Sequence, residues 1–237
     1  MTRLFKITLK ISILVASHTC FGVQEHTGFW LDGSLYDYLD QERDWSYALE
    51  AQLRTLDKDD FYQLVNLEAK LGYHHNINLS FSGGYQWISN QPMSDTASRN
   101  IIFEEMYWWA ITHEHFVLRT RSRFEQINQT HEHEWGNVTR QRVSFYLPDV
   151  ISDIITPLIY DEVFIKLDNP DWDADADTIK ENWLFLGIDI VTADTWFMTV
   201  GYLQHYEFMH HGDQLDNILY LGFNYNPAMV PDYVYYK

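Results

Sequence analysis

The chain has 237 residues, room for one domain or two small ones, and carries 34 acidic against 16 basic residues, a formal charge of −18. That acidic excess excludes a nucleic-acid partner, because a phosphate backbone calls for lysine and arginine patches. Aromatic residues make up 16% of the chain, which excludes an acidic disordered chain, a class poor in aromatics.

The chain opens with basic residues at Arg3 and Lys6 and continues with an apolar run from Ile7 to Ser17, interrupted at Lys10. A small-residue exit follows at Cys20-Phe21-Gly22. This is the layout of a signal peptide over 1–22, cut after Gly22, with a barrel domain over 23–237. The apolar run is too short to cross a bilayer as a helix, which takes about 20 residues. Cys20, preceded by Ser17, His18 and Thr19, lacks the context of a lipid-attachment site. Cleavage after Gly22 would leave no cysteine and so no disulfide.

Beyond residue 22 no long stretch has helical spacing of apolar residues. Period-two alternation recurs in segments of about ten residues separated by polar turns. Over 45–54, Trp45, Tyr47, Leu49, Ala51 and Leu53 oppose Ser46, Ala48, Glu50, Gln52 and Arg54. Over 65–73, Val65, Leu67, Ala69, Leu71 and Tyr73 oppose Asn66, Glu68, Lys70 and Gly72. Over 77–87, Ile77, Leu79, Phe81, Tyr85 and Trp87 oppose Asn78, Ser80, Ser82, Gly84 and Gln86. Further strands are predicted at 29–38, 101–112, 116–127, 139–147, 159–168, 182–191, 196–206 and 217–225. Trp30, Trp45, Trp87, Trp196 and Tyr225 lie near segment ends, where an interfacial aromatic girdle needs them.

Long polar connections at 88–100, 128–138, 168–181 and 207–216 alternate with tight ones at 74–76, 113–115 and 192–194. The exception, 148–158, is read as a strand extension, a short plug or an interfacial helix. The pattern predicts an all-β fold, a single antiparallel transmembrane β-barrel of the outer-membrane type. Eleven segments are visible, but single-chain bacterial barrels have even counts, so twelve strands are expected, with ten as the alternative.

The polar face is heavily charged. Alternation puts Arg119, Arg121, Arg123 and Glu125 on one side of one strand, Arg140 and Arg142 on the next, and Glu162 and Lys166 on the one after. With Glu50, Arg54, Glu68 and Lys70 they are predicted to line the lumen, because a basic residue facing lipid at mid-membrane costs about 2–4 kcal/mol. Such a cluster reads either as an ion-paired structural interior or as an anion path.

The run 119–126, the pair Arg140 and Arg142, and Asp-Glu-Val-Phe at 161–164 resemble the shared motifs of the DUF2490 family of uncharacterised bacterial proteins. Gly84-Tyr85, Gly201-Tyr202 and Gly187 agree with it. The resemblance spans nearly all of the chain after residue 22 and implies an exported barrel in the bacterial outer membrane. It implies contact with outer-membrane lipids and lipopolysaccharide, and with the barrel-assembly machinery and periplasmic chaperones during biogenesis. It supplies no catalytic residue. The chain ends Val-Tyr-Tyr-Lys at 234–237, a departure from the terminal aromatic usual in such barrels.

No serine stands in a nucleophile context such as Gly-x-Ser-x-Gly, and His205 reads as a satisfied interior histidine rather than a base. His131 and His133, with Glu132 and Glu134, read as polar loop surface. The acidic run of Asp171, Asp173, Asp175 and Asp177 lacks the glycine and distal glutamate of a calcium loop. No catalytic residue, metal site or cofactor is therefore assigned. The expected function is a structural barrel or a small-solute pore with an arginine-containing interior. The alternatives are a lipid-active hydrolase of the same membrane and a soluble periplasmic ligand-binding barrel.

Overall fold

The computed structural model describes residues 23–57, 62–91, 98–113, 116–130, 132–173, 176–210 and 212–226. The proposed leader with Cys20, the C-terminal 234–237, and His115, His131, Asp175 and His211 lie outside the described residues. Eleven strands form among them: β1 Gln24–Tyr38, β2 Trp45–Leu56, β3 Tyr62–Asn76, β4 Leu79–Gln91, β5 Arg99–His113, β6 Phe116–Gln129, β7 Trp135–Tyr146, β8 Ile155–Lys166, β9 Ala176–Ala193, β10 Trp196–Met209 and β11 Gln214–Tyr225. Each predicted strand is present, and together they close into one barrel.

The count of eleven corrects the expected twelve or ten. Sequential neighbours pair antiparallel, but the seam between β1 and β11 is parallel, running from Gln24 opposite Gln214 to Leu35 opposite Tyr225. An even count follows only where first and last strands meet antiparallel. Here twelve consecutive residue pairs along β1 and β11 close the barrel with an odd number.

The long connections are shorter than the alternation implied, because the strands run past their clear apolar cores. β9 extends for 18 residues and takes up much of the predicted 168–181 loop. The segment 148–158 forms neither plug nor helix. It bends through an isolated bridge between Ser152 and Ile155 and then enters β8. Connections β2–β3, β4–β5, β6–β7, β8–β9 and β10–β11 share one rim with the start of β1, the loop end. The other rim, the turn end, carries two-residue connections at Ile77-Asn78 and Asp194-Thr195.

The wall is apolar outside and polar inside. Leu49, Leu67, Leu71, Phe81, Ile102, Phe124, Leu186 and Leu219 point outward and are exposed. Outward aromatic pairs gird the turn end: Trp45 with Tyr73 at 5.1 Å, Phe116 with Phe145 at 5.7 Å, and Trp196 with Tyr225 at 4.8 Å. Several outward polar groups satisfy one another across strands, Ser122 with Gln141 and Asn182 with Asp161, each at 2.6 Å.

Two glycine sites let large rings lie flat on the inner wall. A Cβ at Gly201 or Gly187 would sit 2.3 Å or 2.6 Å from Phe185 Cζ. The ring occupies that space, stacks on Tyr160 at 4.9 Å and meets Tyr220 edge-on at 5.5 Å. This contact gives a packing reason for Gly187 and for the Gly-Tyr pair at 201–202.

Candidate functional site: the charged lumen

Alternation on β6, β7 and β8 sends every second side chain inward, and the strand register sets those chains at matching heights. Arg121 faces Arg142 across β6 and β7, and Arg142 faces Glu162 across β7 and β8. Two guanidinium groups side by side repel, so a carboxylate must lie between them. Glu162 is that carboxylate and is fully buried. Its Oε1 accepts from Arg121 and from Arg140 Nε at 3.0 Å, and its Oε2 accepts from Arg142 Nε at 2.8 Å and Nη2 at 2.5 Å.

The network continues sideways. Arg140 Nη1 donates to Glu125 at 2.7 Å, and Arg123 Nε lies 2.8 Å from the same carboxylate. Arg123 also reaches three strands away to Glu68 on β3 at 3.0 Å and to Gln86 on β4 at 2.8 Å. Lys70 donates to Glu105 at 2.9 Å. Desolvation offsets much of the attraction in such pairs, so the network fixes register and fills space more than it adds net stability.

Aromatic rings complete the filling. Trp183 of β9 lies between Arg54 of β2, 5.2 Å from its ring, and Arg140 of β7, 5.3 Å away. β2 and β7 stand on opposite sides of the barrel, five strands apart one way and six the other. Trp30 meets Trp183 edge-on at 5.2 Å and carries Arg54 at 4.0 Å over its face, while Phe164 packs on Trp183 at 4.8 Å. A chain of side chains thus crosses the lumen from wall to wall.

On the turn-end side of this barrier lies a cavity of about 1190 Å³, floored by Trp30, Trp183 and Arg54. Its walls carry both signs of charge, with Arg54 and Lys70 on the side of the carboxylates. Arg119, Arg121 and Arg142 stand on β6 and β7, while Asp32 and Glu50 face them from β1 and β2. Arg119 has no carboxylate partner among the described residues. Its guanidinium lies 5.4, 4.8 and 5.3 Å from the rings of Tyr107, Trp109 and Tyr146.

Of the residues predicted for the lumen, Glu68, Lys70, Arg121, Arg123, Glu125, Arg140, Arg142 and Glu162 join through these ion pairs. Glu50 and Arg119 line the cavity, and Arg54 sits in the barrier. Lys166 stands apart: its Nζ donates to the backbone oxygen of Asp173 at 2.5 Å, pinning the 3-10 turn Asp171–Asp173 at the loop end. Asp173 itself takes Lys180 at 3.0 Å, so that carboxylate is engaged by lysine.

Glu105, a partner of Lys70 that also lies 3.7 Å from Arg123, escaped the sequence reading. β5 has aromatics on both faces, Trp108 outside and Phe103, Tyr107 and Trp109 inside, so polarity gave no phase for its strand. Asp32 escaped for a similar reason, because β1 carries aromatics and carboxylates on both of its faces, Phe29 and Asp37 on one and Trp30 and Asp32 on the other.

The approach nearest to a nucleophile–base pair is Ser46 Oγ to His74 Nε2 at 2.9 Å. Tyr36 takes the same nitrogen at 2.9 Å, Ser46 is buried, and no carboxylate hydrogen-bonds the His74 ring among the described residues. The orienting acid of a hydrolytic triad is therefore missing there.

A family model described as "Protein of unknown function (DUF2490)" matches residues 27–216. The chain belongs to the DUF2490 family. In this member the family-like runs at 119–126, 140–142 and 161–164 lie on β6, β7 and β8, which supply all the arginines of the arginine–glutamate network. No curated protein matches the chain. Among solved structures, the translocator domain of the autotransporter NalP from Neisseria meningitidis is similar at 14% identity and a TM-score of 0.41, over 68% of this chain and 67% of that one. So loose a likeness says nothing of what this DUF2490 barrel does.

Proposed function

We propose that this DUF2490 protein spans the bacterial outer membrane as a plugged, non-conducting barrel, with residues 1–22 removed on export and a solute-holding vestibule open toward the periplasm. The observation that carries the closed state is the wall-to-wall chain from Arg54 through Trp183 to Arg140. The membrane reading rests on the outward apolar face and its aromatic pairs, because a monomer in water rarely exposes so large an apolar surface. Strand length fits as well: at ~3.3 Å per residue and a tilt near 40°, a 12-residue strand rises about 30 Å, against an apolar band of about 25 Å. Short turns on the periplasmic side are the rule for such barrels, which directs the turn-end vestibule to the periplasm. Its lining of both arginines and carboxylates suits a small solute bearing both signs of charge.

The membrane reading is tested by refolding the chain from residue 23 into vesicles whose lipid tails carry bromine, a fluorescence quencher. Outward Trp45, Trp108 and Trp196 lose fluorescence on insertion, and the folded form migrates differently on a gel when unheated. A chain that stays in the aqueous phase as a detergent-free monomer overturns the reading in favour of a periplasmic barrel.

A further inference from the structure

A second constellation sits inside the loop end, away from the arginine network. Glu181 of β9 and His205 and Glu207 of β10 bring one donor atom each to within 4.8 Å of one another. His205 Nε2 lies 3.2 Å from Glu181 Oε2 and 3.4 Å from Glu207 Oε1. A tetrahedral ion with ligand bonds of about 2.0–2.1 Å has ligand–ligand edges of about 3.3–3.4 Å. Two of the three edges are thus already set.

The groups behind these ligands are those a metal site needs. His205 Nδ1 lies 3.1 Å from Asp216 Oδ2, although its N–H is not squarely aimed at that oxygen. Asp216 is fully buried, and Gln214 Nε2 donates to both of its oxygens at 2.8 and 2.9 Å. A carboxylate behind Nδ1 favours the tautomer with its proton there, so that Nε2, which is in hydrogen-bond contact with Glu181, can turn to ligation. Trp183 Nε1 donates to Glu181 at 3.1 Å and fixes that carboxylate.

Charge points the same way. Among the described residues neither Glu181 nor Asp216 is paired with a lysine or arginine, and both share the one imidazole of His205. Nearby Lys180 is held by Asp173. Arg54, Lys180 and Arg99 act on Glu181 only from beyond ion-pair distance, so the buried carboxylates still favour a cation held directly between them. The Glu207 side chain is 33% exposed, so an ion can reach the cluster from its side.

We propose that Glu181, His205 and Glu207 form a binding site for a divalent transition-metal ion of the zinc type, with Asp216 as the positioning residue behind His205. The donor set of one imidazole nitrogen and two carboxylates favours zinc, manganese or iron over calcium, which takes six to eight oxygens. The site stands on lumen geometry and does not depend on the barrel's being closed.

The test is titration of metal-free refolded protein with Co²⁺, read by visible absorption, and with Zn²⁺, read by calorimetry. The expected result is one ion per chain, with the strong absorption of four-coordinate cobalt. His205→Gln abolishes it, Asp216→Asn weakens it about 10–100-fold, and Glu207→Gln weakens it while the barrel still folds. A His133→Ala/His210→Ala variant keeps it. Should His205→Gln fail to show the folded gel migration, Glu207→Gln and Asp216→Asn carry the test. Absence of binding, or one ion that survives Glu207→Gln and Asp216→Asn but is lost from the loop-histidine variant, overturns the proposal.

Discussion

Replacing Glu162 by glutamine perturbs the lumen at its most connected point. The carboxylate accepts from Arg121, Arg140 and Arg142, and no part of it reaches solvent. Glutamine keeps the shape and one acceptor oxygen but removes the charge and turns the other position into a donor facing guanidinium N–H groups. Arg140 retains Glu125, and Arg121 retains only a 4.0 Å approach to Glu105. Arg142 has no other carboxylate partner among the described residues. Breaking a buried pair on one side costs about 3–5 kcal/mol, mostly from the uncompensated charge. At about 2–4 °C per kcal/mol for a chain of this size, the unfolding midpoint should fall by roughly 6–20 °C. The assay is gel migration of the folded form after heating through a temperature series. Adding Arg142→Gln to Glu162→Gln removes the stranded cation and should recover part of the loss. An unchanged midpoint in the single variant, or a further fall in the double, would mean that Glu162 does not hold these guanidinium charges in place.

Gly201→Ala places a methyl group 2.3 Å from Phe185 Cζ and 2.7 Å from the Leu186 carbonyl, so the ring must leave its stack on Tyr160. Overpacking of this kind costs about 1–3 kcal/mol, to be read as an earlier unfolding midpoint that Phe185→Leu partly restores. Leu186→Arg puts a charge at the outward centre of β9 and should cost about 2–4 kcal/mol in lipid; a loss under about 0.5 kcal/mol would mean that this face meets water. Arg119→Gln should weaken the retention of an anionic dye in the vestibule, measured by equilibrium dialysis, while lowering the unfolding midpoint less than Glu162→Gln does, since Arg119 meets three rings but holds no carboxylate.

The strands were legible because on most of them one face is apolar and the other polar, as on β2 and β3. Their phase fixed which charges face inward, Arg121, Arg123, Arg140, Arg142 and Glu162 among them. It could not show who pairs with whom, because Arg123 finds Glu68 across three strands and that depends on barrel curvature and register. β5 hid Glu105, since aromatics occupy both of its faces. The strand count went astray for a physical reason: loop parity presumes an antiparallel seam, and the contact that decides it joins β1 to β11 at opposite ends of the chain. The His205 constellation was legible only in part, since alternation puts His205 and Glu207 on the inner face of one strand but does not bring Glu181 and Asp216 to them. The remaining members come from neighbouring strands, Glu181 lying 24 residues before His205 on β9 and Asp216 on β11, so no local spacing joins them.

The proposed function rests on closure of the lumen by side chains from opposite walls. Single-channel recording from refolded protein in a planar bilayer tests it most directly, with insertion verified by the gel shift. The wild-type barrel should insert and carry no steady current, and Arg54→Ala combined with Trp183→Ala should open a conducting path. Steady wild-type conductance would contradict the account and make the arginine wall the lining of a pore.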